Sequence, residues 1–509
     1  MAWSAAFLAA LEARAASPIY RLQVVRVNDE PGGSWAISSS RNSTFSARIA
    51  ADGVRQDGAR VTPRSWSTTV GATSVDVVGD LTSFHTYVTR GTVLELSMGF
   101  AGWSEADFQV IAVGPYRSCR GQMGPRWTIE ILDLFASFTQ RWRLDSSANE
   151  LFYGMGGSTT ISTAYVAGAA TLEVASTSQS AKETGEPGAI LVTPSTGDPF
   201  VLTYAATATG PVRFTGCSAA GQMGTTAVDA AIGDSVTFLA YLHGHPLNIV
   251  RGVMVSRGGT GANSSLDTLP QAWGLGIATE FVDHPDIRAW RDAVVVSSTG
   301  SYYWQIAASE PQDDAYSWIT GTWAQAGMWP VMRQGKISWR AAQNTQAPRL
   351  HTGFHITDAD VAEVISYEDY DSELSAEYGA VSVYSAEGNG TIRTETPATI
   401  PLVNEGLLYT AEGLWDAWAD VVTDDLDRLA EAGLRIPELL ELQLVTMRAA
   451  QLVNGDLVTL EISRPGSRRY GSRGFVGQVA MVLSVSPDWS RWGVRLALAV
   501  YPATGDQFA

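Results

Sequence analysis

Basic residues and cysteine are scarce in this sequence, and each shortage excludes a class of protein. Against 52 aspartates and glutamates stand 34 lysines and arginines, a formal net charge of −18 over 509 residues. Nucleic-acid binding draws most of its affinity from basic side chains on phosphates, which argues against a protein that grips DNA or RNA. An acidic surface suits the opposite task, letting DNA slide past without sticking. Two cysteines, Cys119 and Cys217, cannot build a disulfide framework or a four-cysteine metal site; both are expected to be buried small hydrophobes. No apolar run approaches the ~18 residues of a membrane span, so no membrane anchor is expected. The opening MAWSAAFLAALEARAA lacks a basic leader and meets Glu12 early. It predicts a short amphipathic helix rather than a signal peptide, and a soluble protein made in the cytoplasm.

The residues of covalent chemistry are also thin. Of six histidines, His243 and His245 fall in HGHP and His351 and His355 in HTGFH, with Asp358 and Asp360 nearby. Imidazoles so spaced can converge on a metal, but no zinc-protease partner motif accompanies them, and helix starts or surface positions account for them. Carboxylates cluster at Asp313 and Asp314, at Glu368, Asp369 and Asp371, and at Asp424, Asp425 and Asp427. A glycosidase needs only two at the right separation, yet solvated turns and an exposed helix face explain these runs more simply. There is no Gly-x-Ser-x-Gly elbow, and YGMGGST (153–159) lacks the phosphate-loop lysine and the dinucleotide spacing, so it reads as a hinge. No catalytic, cofactor or metal-binding residue is assigned, and no enzyme is expected. Trp318, Trp323, Trp329 and Trp339 crowd one region. A sugar-binding platform is the rival reading there, but Trp329 and Trp339 flank a predicted hairpin at even spacing, as core or cross-strand residues do.

What the chain has in quantity is β-forming sequence. Hydrophobic residues make up 45% and charged ones 17%, with 49 glycines to punctuate turns; the length implies several domains. The predicted fold class is mainly β with some α. Residues 1–157 read as a first β domain with the N-terminal helix, carrying IYRLQVVRV, GTVLELSMGF, FQVIAVG and RWTIEIL. Residues 158–240, rich in Ser, Thr and Gly, read as a small all-β insertion. Residues 241–365 are mixed α/β: helices start near His245 and His284, each with proline in the first turn, and a hairpin turns at Gln334-Gly335. Residues 366–509 form a second β domain, with a helix near 411–433 before LELQLVTM, GDLVTLEI, GFVGQVAMVLSV and RWGVRLALAV.

The two β domains repeat one another. RGTVLELS (90–97) matches NGDLVTLE (454–461), a Phe-led apolar strand follows each, and an Arg-Trp strand closes each. Gly91 precedes Trp127 by 36 positions and Gly455 precedes Trp492 by 37, so Arg126-Trp127 is paired with Arg491-Trp492. Such a chain can offer two equivalent β modules to a ring, and three chains would give six positions. The hairpin loops differ in charge: GFAGWSEADF carries Glu105 and Asp107, whereas SRPGSRRYGSRG carries Arg464, Arg468, Arg469 and Arg473. Acidic and basic loops that meet between neighbouring modules would set their order round a ring.

With TIEILDL closing the first β domain, then HGHPLNIVRGVM and LPQAWGLGIATEFVD, and a final NGDLVTLEI, GFVGQVAMVLSV and WGVRLALAV, the sequence resembles baseplate hub (tail tip hub) proteins of tailed bacteriophages and of related gene transfer agents. The resemblance implies two tail-tube-like β-barrel or sandwich domains per chain and a homotrimer forming a pseudo-six-fold ring in the virion. It implies a distal tail protein above, tape-measure and tail tip or fibre proteins as further partners, and DNA only in transit during ejection from a siphophage-like tail. Some such hubs hold an iron–sulfur cluster through several cysteines; with two here, no cofactor is implied. The alternatives are a carbohydrate-binding or depolymerising tail protein and a hexameric distal tail protein.

Overall fold

A computed structural model describes residues 3–13, 17–27, 30–31, 35–40, 48–62, 66–89, 92–121, 125–139, 157–177, 187–222, 225–255, 277–294, 304–308, 315–325, 327–342, 350–368, 380–384, 391–395, 408–411, 438–464 and 474–500. The fold is mainly β with some α. Helix α1 (Ala5–Glu12) starts where Ser4 accepts a hydrogen bond from the Phe7 amide, and it buries Phe7 and Leu11. It leads into β1 (Pro18–Val27), β2 (Arg48–Asp57), β3 (Ala72–Val78), β4 (Val93–Phe100), β5 (Gln109–Gly121) and β6 (Arg126–Leu132). These form one sheet in the order β1-β4-β5-β6-β3-β2, with two short strands, Glu30–Pro31 and Ala36–Ser38, along β1. Spaced two apart along their strands, Leu22 and Val24, Val75 and Val77, Leu94 and Leu96, and Ile129 and Ile131 turn one face into the core.

The insertion folds around Ile161, Tyr165, Leu172, Phe200, Phe214 and Phe238. Its last strand, Ser235–Gly244, runs past residue 240 and pairs with Trp304–Ala308, so its sheet reaches into the following mixed segment.

Helix α2 (Pro246–Val255) begins where His245 Nδ1 accepts the Leu247 amide, and α3 (His284–Val294) follows Asp283, as the two histidine-proline pairs predict. After α4 (Ala315–Gln325) comes the hairpin β7 (Met328–Arg333) and β8 (Lys336–Ala341). Its turn residues Gln334 and Gly335 have φ of 52° and 73°, the mirror-image turn that suits strand twist. The hairpin straddles the molecule. A Cβ on Gly335 would lie 2.6 Å from Val113 on β5, whereas at the other end Trp329 stacks on Trp66 with centroids 5.1 Å apart. Trp323, Trp329 and Trp339 are all buried in packing roles, which removes them as a sugar platform; the Trp318 side chain lies outside the described residues.

The last sheet comprises β9 (His355–Thr357), β10 (Val361–Glu368), β11 (Glu438–Leu444), β12 (Leu457–Ile462), β13 (Phe475–Asp488) and β14 (Gly493–Val500), in the order β9-β12-β13-β14-β11-β10. The helix expected near 411–433 falls almost wholly on residues outside those described. Both sheets contribute to one continuous core through α1: Trp492 Nε1 donates to the Leu11 carbonyl at 3.0 Å, and Trp3 Nε1 donates to the Val110 carbonyl at 3.3 Å.

Candidate functional site

The two sheets have the same topology. Numbering the six strands of each in chain order, both run 1-4-5-6-3-2, and every neighbouring pair is antiparallel except that β9 lies parallel to β12 where β1 lies antiparallel to β4. The likeness extends to irregularities. Between β4 and β5, Leu96 faces Ala112 and Ser97 faces Val110, leaving Ile111 as an extra residue. Between β12 and β13, Leu460 faces Gln478 and Glu461 faces Val476, leaving Gly477 at φ 69°. A second bulge leaves Arg117 unpaired between β5 and β6, and Leu483 unpaired between β13 and β14. Bulges are specific one-residue insertions that fix register, so two of them at matching positions tie the sheets together more firmly than strand order alone.

The entry to the fourth strand matches as well. The Thr89 amide donates to Thr92 Oγ1 and the Thr92 amide to the Thr89 carbonyl, both at 3.0 Å. The Val453 amide donates to Asp456 Oδ2 and the Asp456 amide to the Val453 carbonyl, again both at 3.0 Å. From the neighbouring strand, Tyr116 N–H reaches Thr92 O at 2.9 Å and Val482 N–H reaches Asp456 O at 2.8 Å.

The sheets meet head to tail. The chain leaving β2 crosses onto β13, where Val61 N–H donates to Leu483 O at 3.0 Å and Gly58 N–H to Ser486 Oγ at 3.4 Å. This covers the bulge of the second sheet, so that Leu483 is 1% exposed and sits with Val61, Trp66, Trp329 and Met481 in a small core. The equivalent bulge of the first sheet is open: Arg117 and Arg120 have side chains 53% and 75% exposed, and Cys119, the counterpart of Val485, is half-buried. A two-fold packing would cover both bulges alike. One covered and one open bulge define a heterologous contact.

A cavity of about 80 Å³ lies at the junction, bordered by Trp3 of α1, Gln56–Ala59, the β7–β8 turn, Asn454 and Val485. Asp133 at its edge accepts the Gly71 amide at 2.9 Å, and burial pushes its carboxyl up to about 6. Beside it runs a buried charge network. Arg340, wholly buried, donates to Asp286 Oδ2 at 2.6 Å and to Asp456 Oδ1 at 3.1 Å, and stacks over Trp290 at 4.9 Å. Arg333 and Ser338 also bind Asp286. Burial alone would raise the Asp286 carboxyl; Arg340 and Arg333 outweigh it and hold it below the usual range. Because Asp456 opens β12, Arg340 ties the hairpin and α3 to the second sheet.

The residues singled out from sequence are spread over this frame. Gly455 adopts φ 92° beside Trp329 and Arg340, a position only glycine fits; Gly91 lies outside the described residues. The pairing of Arg126-Trp127 with Arg491-Trp492 is corrected by the structure. Arg126 and Trp127 are the first two residues of β6, with Arg126 Nη2 on Asp76 Oδ2 at 2.8 Å. Arg491 and Trp492 instead lie in the turn before β14, Arg491 donating its amide to Asp488 Oδ1 and Trp492 at φ 57°. Counted from the shared bulges, Trp127 corresponds to Val494, since Trp127 faces Gly121 as Val494 faces Pro487. Matching identical letters had slipped the register by two. Asp107 accepts Ser104 Oγ at 2.6 Å within its own loop, the Glu105 side chain is outside the described residues, Arg464 is exposed, and Arg468, Arg469 and Arg473 lie outside them too. Both cysteines are free, with Cys217 buried. Gly477 inside GFVGQVAMVLSV was the one legible sign of a bulge.

The sequence matches no protein-family model and no curated protein. Among solved structures, the chain is similar to a 43 kDa tail protein of prophage MuSo2 from Shewanella oneidensis, at 9% identity and a TM-score of 0.38 over 96% of this chain and 100% of that one. It is also similar to prophage tail protein gp18 from Listeria monocytogenes EGD-e, at 8% identity and a TM-score of 0.37 over 94% of each. At those scores neither likeness decides function. Among the described residues no group of three or more His, Cys, Asp or Glu side chains is placed to hold a metal ion, and no helix is long and apolar enough to cross a membrane. His351 is engaged locally, its Nδ1 accepting the Gly353 amide at 2.9 Å.

Proposed function

We propose that this chain is a structural phage-tail protein, a baseplate hub that assembles as a homotrimer in the virion. Three chains, each with two like sheets, present six near-equivalent modules in a ring between the tail tube and the tail tip, with DNA passing through. The observation that carries this reading is the pair of sheets sharing strand order and both bulges, joined by a contact that leaves the same contact open at the other end. A distal tail protein above, and the tape-measure and tail tip or fibre proteins, are the partners such a ring would take. No residue is asked to make or break a covalent bond. Within this reading, the loop bearing Glu105 and Asp107 and the loop bearing Arg464, Arg468, Arg469 and Arg473 meet round the ring, because both connect the fourth and fifth strands of their sheets.

Native mass measurement of the purified full-length chain tests the proposal. A particle of three 54.4-kDa chains is expected, and reversal of the four arginines to glutamate should weaken it most at low salt. A monomer at every concentration, or a hexamer, would contradict the trimer.

A further inference from the structure

We infer that the open bulge on β5 is a docking surface for the β10 edge of a second copy of this chain, an inference that rests on the ring reading above. Within the chain, the edge strand of the first sheet, β2, delivers the following segment onto the bulge of β13. The strand equivalent to β2 in the second sheet is β10: Val54 faces Val75 on β3 as Val364 faces Leu442 on β11, and Asp57 faces Ala72 as Glu368 faces Leu439. The surface equivalent to the β13 bulge is Arg117 to Gly121. The internal contact is made just past the Asp57 end of β2; applied once more it brings the equivalent Glu368 end of β10 of one copy to β5 of the next.

Among the described residues no further strand pairs along either surface, and their chemistry is complementary. On β5, Arg117 and Arg120 share a single carboxylate, Glu130, at 2.9 and 3.9 Å, which leaves two cations to one anion. The corresponding second-sheet positions are apolar or neutral: Leu483 for Arg117, Ser486 for Arg120 and Ala497 for Glu130. The incoming β10 carries Glu363 and Glu368 exposed, and Ile365 is 38% exposed on a strand with one edge unpaired among the described residues. An eight-residue exposed edge with an apolar side chain is a surface proteins normally cover. The sign of the charges also separates the two contacts. Inside the chain Arg60 arrives near Glu441, a cation brought to an anion. Between copies the anions of β10 arrive at arginines, so first-sheet and second-sheet edges are not interchangeable, and modules alternate round the ring.

The test uses the full-length chain. Arg117→Glu combined with Arg120→Glu is expected to weaken self-association about 100-fold, and adding Glu363→Arg and Glu368→Arg to restore most of it, because charge reversal on both sides re-forms the complementarity. On the unmodified protein, alkylation of Cys119 by a maleimide should slow at least about 10-fold once the chain assembles, with Cys217 as the buried control; this arm stands even if a variant fails to fold. If the wild type assembles but the arginine variant assembles equally well and Cys119 reacts at an unchanged rate, this surface is wrong while the ring reading survives. If the wild type stays monomeric at all concentrations, the ring reading fails and this inference with it.

Discussion

Replacing Arg340 with methionine is expected to destabilise the protein by roughly 3–5 kcal/mol, the range found when one partner of a buried charge network is removed. Arg340 has no solvent to fall back on, and its guanidinium is shared between Asp286 on α3 and Asp456 at the start of β12. Methionine fills much of the volume but leaves Asp456 Oδ1 without its cation and Asp286 with less, since among the described residues Asp456 keeps only the Val453 amide on Oδ2 while Asp286 keeps Arg333 and Ser338. The penalty should shrink on acidification. The Asp286 carboxyl is depressed in the folded protein, so its contribution is present above its unfolded value, near 3.8, and is lost as pH falls through the still lower folded value. Chemical denaturation at pH 7 and well below pH 3.8 checks both the size and the trend. Equal loss at both pH values would mean that the arginine acts by packing alone.

Gly58→Val should do comparable damage at the contact between the sheets. A Cβ on Gly58 would lie 1.9 Å from the Val485 carbonyl oxygen, a backbone atom of β13 that cannot swing aside. Relief requires the segment after β2 to lift, which breaks the Val61 hydrogen bond to Leu483 and opens the small core around Trp66 and Trp329. Overpacking against a fixed backbone costs about 3 kcal/mol or somewhat more. Amide exchange at Val61 reports the local event directly and should rise well before the sheets themselves lose protection. Gly321→Ala is the control. It sits in α4 with nothing within 4 Å of its added Cβ, and should be neutral or stabilising by up to about 1 kcal/mol. If Val61 exchange is unchanged in the valine variant, the two sheets are not held by this contact.

Much of this architecture could be read from the sequence because its signals are local. The two histidine-proline pairs start α2 and α3 and Gln334-Gly335 turns the hairpin; Trp329 and Trp339 are both buried as expected, but on opposite faces of the hairpin, Trp329 facing Arg340 and Trp339 facing Pro330. The repeat was legible from GTVLELS and GDLVTLE because a turn followed by an alternating strand keeps its pattern when its residues change. Its register was not. Arg-Trp happens to occur near the sixth strand of each sheet, inside β6 but in the turn before β14, and only hydrogen-bond pairing distinguishes those settings. Cys119 shows a further limit. It was expected to be buried, and its counterpart Val485 is, but burial there depends on a segment arriving from a different sheet. Likewise nothing in GPYRSCRG announces that Arg117 occupies the place of a buried leucine. That meaning exists only once the two sheets are superposed strand by strand.

In the proposed ring, two like sheets joined head to tail in each of three chains would set six modules round one opening. Averaged end-on electron-microscope images of the purified assembly test it most directly. Six lobes of similar size, alternating in shape with three-fold symmetry about a central opening, are the expected result. An unclosed chain of subunits, or a ring whose lobes number other than six, would contradict it.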